Sequence, residues 1–269
     1  MQEEKQSRFS KSFLIPFSEI IEQQPQFYIK NFIPLPLGAI TMLSAPGGSG
    51  KSFLLIQLAI RFLIENPNDK AFLWLSEDLP YFSKHRISLI LEHILNITDE
   101  TVIANIMNRL ITTKEAPIHI ISSDFKGLHI NEEFALVKQY LEEYNFIALD
   151  PLIAFYGADE NNNSHARYFM NQLNAWIADT NKSIVLVHHF SKKSKDSSGS
   201  TRGASAFVDA IRLLYELESL TLEEDKHLRN ILIKKDNWGI RHLLSANGGN
   251  GDIYGIHVLP FKPQVVRWR

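Results

Sequence analysis

The chain has 269 residues, enough to bury a full hydrophobic core as one large domain or one domain with a small appendage. Its net charge of -2 excludes a global basic field, so a nucleic-acid partner would have to meet a local patch. The absence of cysteine excludes disulfides and cysteine-ligated zinc and fits a reducing compartment. With no signal-peptide pattern and no long apolar run, we expect a cytoplasmic protein without a membrane partner.

Residues 1–38 are predicted as an N-terminal lead-in, in which Pro34 and Pro36 disfavour regular helix. The main domain is predicted to span residues 39–269. Uncharged apolar runs predict buried strands at 39–43, 71–76, 117–122, 146–150 and 183–189. Helices are predicted at 52–64, within 81–108, at 131–144 with Asn131 as the cap, and at 164–180.

Strands that alternate with helices predict crossover connections and a mostly parallel central sheet with helices on both faces. After residue 204 the pattern changes, and residues 210–217, 229–239 and 241–249 have the pattern of strands joined by short turns. We therefore predict an α/β fold in which antiparallel or mixed strands extend the sheet at its C-terminal end. Residues 191–203 are polar and of low complexity, which predicts a loop.

A glycine-rich loop between the first strand and the first helix fits the pattern [AG]-x4-G-K-[ST] of nucleoside-triphosphate sites. Glycines let backbone N–H groups point at phosphate oxygens, and the helix adds the positive end of its dipole. A lysine in this pattern contacts the β- and γ-phosphates, and the following hydroxyl binds Mg²⁺. The residues expected to hold ATP are Ala45, Pro46, Gly47, Gly48, Ser49, Gly50, Lys51, Ser52 and Phe53, with Ser52 also on the metal.

An NTPase also needs an acid near Mg²⁺ and a group that activates water. Asp150 ends an apolar strand, where a magnesium-supporting acid belongs. Pro151 follows it, so the base must come from elsewhere in the chain. Glu77 is the best choice if the strand before it lies beside the phosphate-binding strand, and Asp78 is its direct competitor.

Two histidines, His188 and His189, end a later buried strand. A histidine there could hydrogen-bond the γ-phosphate and report its loss to neighbouring loops. Since adjacent residues of a strand point to opposite sides, we expect only one of the two to face the nucleotide. A histidine pair can also bind a metal, but no cysteine or suitably spaced third histidine supports zinc.

Five segments together resemble the RepA-type hexameric replicative helicases, which belong to the RecA-like P-loop ATPases, with DnaB-type helicases as more distant relatives. They occur in the family's order over residues 30–240: SAPGGSGKS, LWLSED, LDPL…GADENNN, LVHHFSKK and TRGASAFVDAIR. The glycine-rich loop is common to many NTPases, whereas the last three segments are much more specific to this group.

The resemblance implies a homo-hexameric ring that hydrolyses ATP at subunit interfaces and moves along single-stranded DNA. Lys51 and Ser52 match the nucleotide loop, Glu77 the catalytic glutamate and Asp150 the magnesium-supporting acid. His188 or His189 matches the sensor. The basic residues that could reach a neighbouring subunit's site are Arg202, Arg212, Lys234 and Lys235. DnaB-type relatives carry a lysine and an arginine two positions apart before Asn-Gly, but here Asp236 stands at the arginine's position.

A basic loop directly after the histidines is the predicted DNA contact. Lys192, Lys193, Lys195 and Arg202 can attract backbone phosphates, and the interspersed serines and glycines permit movement. On composition alone, a solvated loop without a ligand fits as well. Other functions also remain open: a RecA/RadA-like or clock-type ATPase in recombination or signalling, and a nucleotide-dependent switch with little turnover.

Overall fold

An eight-stranded sheet forms the centre of the molecule. The computed structural model describes residues 14–30, 32–125, 127–160, 162–178, 180–189, 207–220, 227–245 and 251–258. The strands of the sheet, in chain order, are β3 (Ile40–Ala45), β4 (Ala71–Leu75), β5 (Leu110–Thr112), β8 (Phe146–Asp150), β10 (Ser183–His189), β11 (Leu213–Ser219), β12 (Leu228–Asp236) and β13 (Ile253–His257). Their order across the sheet is β13-β12-β11-β3-β10-β8-β4-β5.

Six neighbouring strands, from β11 to β5, are parallel, whereas β12 and β13 extend the sheet in antiparallel pairing. The carboxyl ends of β3, β10 and β8 therefore meet at one edge, as the pairing of His189 with Ala45 shows. The predicted RecA-like α/β fold, with a mostly parallel sheet and a mixed C-terminal extension, is confirmed.

The helices cover both faces of the sheet. They are α1 (Lys51–Glu65), α2 (Pro80–His93), α3 (Glu100–Arg109), α4 (Glu133–Tyr140), α5 (Asn163–Ile177) and α6 (Ile240–Ser245). One core cluster contains buried residues of α1, α2 and α3, and a second contains those of α4 and α5. Alternate residues of β10 enter the two cores: Val185 and Val187 the first, Ile184 and Leu186 the second. Burial on both faces explains why these strands are apolar throughout.

Two smaller sheets accompany the central one. Strands β1 (Phe27–Ile29) and β2 (Leu35–Pro36) pair antiparallel, and Ile29, Ile33 and Leu35 are buried in the same core as α1. These residues lie in the segment predicted as a lead-in. The other small sheet joins β6 (Ile121–Asp124), β7 (Gly127–Ile130) and β9 (Tyr156–Gly157). The strand predicted at 117–122 overlaps β6 only at residues 121–122, and β7 and β9 were not predicted.

The sequence placed some elements wrongly. Residues 241–249 were predicted as a strand, but Ile240–Ser245 form α6, whose start is fixed by a hydrogen bond from the Arg241 backbone N–H to the Asp236 carboxylate. A short apolar run does not distinguish helix from strand by periodicity, which explains this error. The helical stretch within 81–108 is two helices, and the Asp99 side chain caps the second by accepting hydrogen bonds from Thr101 and Val102.

The pairing expected for the strand before Glu77 was also wrong. Strand β4 does not lie beside β3, because β10 and β8 stand between them. It pairs instead with β8, with Leu75 opposite Asp150. Apolar strands of similar length carry no information about their order across a sheet, so this order could not be predicted from the sequence. Among the described helices, none has both the length and the apolar character needed to cross a membrane.

Candidate nucleotide site

The glycine-rich loop joins the carboxyl end of β3 to the start of α1 at the edge where the parallel strands end. Gly48 and Gly50 have φ angles of 72° and 95°, a left-handed conformation that residues with a Cβ rarely adopt. A Cβ on Gly47 or Gly48 would meet no atom within 4 Å, so the loop is open on that side. A cavity of about 260 Å³ lies against it, lined by Gly48, Ser49, Gly50, Lys51, Ser52, Phe53, Glu77, Arg86 and His189.

Lys51 is the first residue of α1 and is buried, with 5% of its surface exposed. Its ammonium group donates hydrogen bonds of 2.8 Å to the carbonyl oxygens of Ala45 and Pro46. Burial lowers the pKa of Lys51, and the nearby carboxylates of Asp150 and Glu77 act against that shift. The lysine is therefore held at the loop by its own chain, within reach of the cavity that it lines.

Ser52 and Asp150 meet although 98 residues separate them in the sequence. The Ser52 hydroxyl donates a hydrogen bond of 2.8 Å to Oδ2 of Asp150. The pKa of Asp150 is raised from 3.8 to about 6. Burial is the main cause and the Glu77 and Asp78 carboxylates add to it, whereas the hydrogen bond from the Ser52 hydroxyl and the charge of Lys51 act in the opposite direction. A buried carboxylate whose ionisation is disfavoured in this way would be stabilised by a cation.

Glu77 reaches the same cavity through a contact between β4 and β8. The backbone N–H and the hydroxyl of Ser76 donate to the carbonyl oxygen of Asp150, at 2.8 and 3.1 Å. The exposed Glu77 follows directly and lines the cavity. Its competitor Asp78 forms an ion pair with Arg86 of α2. Of the two acids, the structure brings Glu77 to the cavity and holds Asp78 in a pair.

The two histidines at the end of β10 point to opposite sides. His188 packs against Phe207, with ring centroids 6.0 Å apart, whereas His189 lines the cavity beside the glycine-rich loop. Burial lowers the pKa of His188 to about 4, and burial also lowers the pKa of His189. Among the described residues, no group of three or more His, Cys, Asp or Glu side chains is arranged to hold a metal ion.

The predicted DNA contacts Lys192, Lys193, Lys195 and Arg202, the last also a predicted trans residue, lie outside the described residues. The other three residues predicted to reach a neighbouring subunit lie within the described part of the chain. Arg212 and Lys234 are exposed, whereas the Lys235 ammonium donates to the carbonyl oxygens of Val208 and Asp209, both at 2.9 Å.

Asp236, which replaces the arginine of the DnaB-type pattern, serves a local structural purpose. Its carboxylate accepts hydrogen bonds from the backbone N–H groups of Trp238 and Arg241. It therefore stabilises the turn from β12 into α6.

Sequence reasoning missed two arginines at the site. Arg86 lines the cavity and lies over the Phe53 ring, with its guanidinium carbon 5.3 Å from the ring centroid. No sequence spacing indicated this position. Arg229 is buried, and its Nε–H donates to the Ser49 carbonyl oxygen at 2.6 Å. The sequence does indicate that Arg229 is buried, because it alternates with Ile231 and Ile233 on the buried side of β12.

These residues fit a triphosphate with magnesium. The Ser49 hydroxyl is buried at the cavity without a hydrogen-bond partner among the described residues, and buried polar groups normally have one. The Ser52 hydroxyl and the Asp150 carboxylate are hard oxygen donors of the kind that Mg²⁺ prefers. The open side of the glycine-rich loop leaves room for phosphate oxygens.

Comparison with known proteins agrees with this geometry. A family model described as "AAA domain" matches residues 4–195, more than half of the chain. The fold is also similar to that of a solved structure described as an "ATPase Domain". The TM-score is 0.55 at 12% sequence identity, and the match covers 74% of this chain and 77% of that one. With its glycine-rich loop, paired Ser52 and Asp150, and RecA-like sheet, this chain belongs to the AAA domain family of P-loop ATPases.

Proposed function

We propose that the protein is an ATP-dependent DNA helicase or translocase of the RepA type that acts in DNA replication and hydrolyses ATP at subunit interfaces. The observation that carries the proposed ATPase activity is the hydrogen bond between Ser52 and Asp150. Ser52 lines the cavity beside the glycine-rich loop, together with Lys51 and Glu77. The resemblance of the five sequence segments to RepA-type helicases supports DNA as the polymer along which the protein moves.

ATP binding is assigned to residues 45–53 and the metal to Ser52 and Asp150. Mg²⁺, when bound, neutralises charge on the triphosphate. Lys51 exchanges the carbonyl oxygens of Ala45 and Pro46 for phosphate oxygens, so its burial costs less once an anion is present. The Ser49 hydroxyl gains an acceptor in the same way.

Hydrolysis is assigned to Glu77 as the general base. Its carboxylate accepts a proton from the water that attacks the γ-phosphorus, while the bond to the β–γ bridging oxygen breaks and ADP leaves. His189 is the better sensor, because it lines the cavity whereas His188 packs on Phe207. With its pKa lowered by burial, His189 is neutral at physiological pH and can donate one hydrogen bond.

Assembly into a homo-hexamer is supported by an exposed apolar segment near the N-terminal end of the described chain. Leu14, Ile15, Phe17, Ile20 and Ile21 are between 52% and 92% exposed. Such a contiguous apolar segment is unusual on a monomer and is typical of an interface. In the ring, Arg202, Arg212, Lys234 or Lys235 would complete a neighbour's ATP site. Of the described residues, Arg212 and Lys234 are exposed and are better choices than Lys235, which is bonded within its own chain.

Single-stranded DNA is assigned to the basic loop with Lys192, Lys193, Lys195 and Arg202. This loop begins directly after His189, so a change at the γ-phosphate could alter the DNA contact. The ATPase domain at residues 39–269 and the cytoplasmic location stay predictions.

One preparation of the full chain tests the proposal. We expect a hexameric mass, ATP hydrolysis stimulated by single-stranded DNA, and displacement of a labelled strand from a forked duplex. ATP-dependent filaments on DNA would instead favour a RecA/RadA-like recombinase. Stable ATP binding without turnover or strand displacement would favour a nucleotide-dependent switch.

A further inference from the structure

Arg229 links the antiparallel part of the sheet to the glycine-rich loop. It is the second residue of β12 and is only 5% exposed. Its Nε–H donates a hydrogen bond of 2.6 Å to the Ser49 carbonyl oxygen, and a second guanidinium nitrogen donates to the Leu228 carbonyl oxygen, also at 2.6 Å. A buried charge so close to the loop needs a reason, because its desolvation is costly.

The strand register explains how β12 reaches the loop. Glu216 of β11 pairs with Ser44 of β3, and Ser219, three residues further along β11, pairs with Arg229. At about 3.3 Å per residue, Arg229 lies roughly 10 Å beyond the level of Ser44, where the loop emerges from the sheet. The arginine therefore lies at the height of the loop although β11 separates its strand from β3.

The orientation of the Ser49 peptide group matters for anion binding. A loop that directs N–H groups at phosphate must direct its carbonyl oxygens elsewhere, and buried carbonyl oxygens need donors. Lys51 supplies donors to the carbonyl oxygens of Ala45 and Pro46. Arg229 supplies the donor to Ser49, in the middle of the loop, and a charged donor makes the stronger bond.

We propose that Arg229 is a positioning residue for ATP binding, which holds the glycine-rich loop in its anion-binding conformation through the Ser49 carbonyl oxygen. This inference rests on the proposed ATP site. Without the bond, the loop spends part of its time in other conformations, and the apparent Kd for ATP rises by the inverse of the competent fraction.

The test compares Arg229→Met with Arg109→Met, because methionine keeps an unbranched apolar chain and removes every side-chain donor. Arg109 is a matched control: its guanidinium donates to the carbonyl oxygens of Leu63, Asn66 and Asp69 at the far end of α1, away from the cavity. Kd for a fluorescent ATP analogue with Mg²⁺, KM and kcat are measured alongside thermal unfolding without nucleotide.

We expect Arg229→Met to raise Kd and KM about tenfold, the scale of one charge-assisted hydrogen bond, with a smaller change in kcat. Arg109→Met should lower the unfolding temperature without changing Kd. Arg229→Lys, which keeps the charge and can still donate, should recover part of the affinity. If Arg229→Met does not fold, the comparison of Arg229→Gln with Arg109→Gln replaces it, because glutamine removes the charge and is too short to keep the same bond.

The proposal is overturned if folded Arg229→Met, or Arg229→Gln in its place, binds the analogue within twofold of the wild type. It is also overturned if the Arg109 variant loses affinity equally, since the effect would then follow global stability. Wild-type protein that binds no analogue at all would instead refute the proposed ATP site, so the two failures are distinguishable.

Discussion

The carbonyl oxygen of Asp150 accepts hydrogen bonds from both the backbone N–H and the hydroxyl of Ser76, at 2.8 and 3.1 Å. This contact fixes the end of β4 against the end of β8. As a result, Glu77 directly follows a residue that is bonded to the backbone of Asp150, the proposed metal-site acid. The acid and the base of the proposed reaction are thus coupled through one peptide carbonyl.

Glu77→Gln should abolish ATP hydrolysis and keep nucleotide binding, because the amide cannot accept the proton of the attacking water. We expect kcat to fall on the order of 10²–10⁴-fold, the usual contribution of a general base. Phosphate release and ATP-analogue binding measure the two properties. Asp78→Asn is the control and should keep most turnover, since Asp78 pairs with Arg86. Near wild-type turnover in Glu77→Gln would move the role to Asp78 or another acid.

Asp150→Asn should change how stability depends on pH. Burial raises the Asp150 pKa from 3.8 to about 6, above its unfolded value. The carboxyl group therefore stabilises the fold below about pH 4, and this contribution is lost as pH rises through 6. The asparagine side chain does not titrate, so the free energy of unfolding of the variant does not fall in this way. Relative to the wild type, the variant should therefore gain stability between pH 4 and 7, by roughly 3 kcal/mol at most.

Urea unfolding at pH 4 and pH 7 without nucleotide measures this difference, with Glu22→Gln as the exposed control. In the presence of Mg²⁺ and ADP the order should reverse, because only the wild type keeps the metal-binding carboxylate. Equal pH profiles for wild type and Asp150→Asn would show that this carboxyl ionises normally in the fold.

Replacing Lys192, Lys193, Lys195 and Arg202 by alanine should weaken single-stranded DNA binding and DNA-stimulated ATPase while basal ATP binding stays the same. Each lost phosphate contact removes roughly 0.7 from the slope of log affinity against log salt, so the slope should fall by up to about 3. Fluorescence anisotropy over a salt series measures it. Lys114→Ala with Lys138→Ala controls for surface charge, and unchanged affinity at low salt would remove the loop from the DNA site.

Replacing Leu14, Phe17 and Ile21 by serine should shift the protein from hexamer toward smaller species, because it removes apolar area from the proposed interface. Sedimentation or native mass spectrometry reports the change, and ATPase activity should fall with the hexamer fraction. Serine at Ile64 and Val102, exposed positions on α1 and α3, is the control. A hexamer that survives the triple substitution would place the contact elsewhere.

Lys234→Ala should lower kcat without lowering stability, whereas Lys235→Ala should lower stability because it removes two bonds to backbone carbonyl oxygens. Mixing inactive Glu77→Gln subunits with Lys234→Ala subunits is the sharper experiment. Some interfaces of the mixed ring combine an intact Glu77 with an intact Lys234, so activity should return. No recovery would mean that Lys234 does not act across the interface.

Much of the fold could be predicted because it depends on local patterns. The apolar runs and the glycine-rich loop fixed the elements around Lys51 and Asp150, and strand alternation correctly separated His188 from His189. The order of the strands across the sheet could not be predicted in this way, since β4 and residues 184–187 of β10 are both uninterrupted apolar runs. Arg229 shows the intermediate case: alternation marks it as buried, but only the three-dimensional structure identifies Ser49 as its partner.

The aromatic contacts of Phe207 have a practical consequence. Its ring packs on His188 and, 5.0 Å away, on Tyr156, so the chain leaves the sheet after His189 and returns to a position beside the same strand end. Segments with neighbouring ends tolerate changes of length, because each doubling adds only about 0.6 kcal/mol of closure entropy. Residues 190–206 could therefore differ in length at a small cost in stability, because the segments that flank them are held together through Phe207.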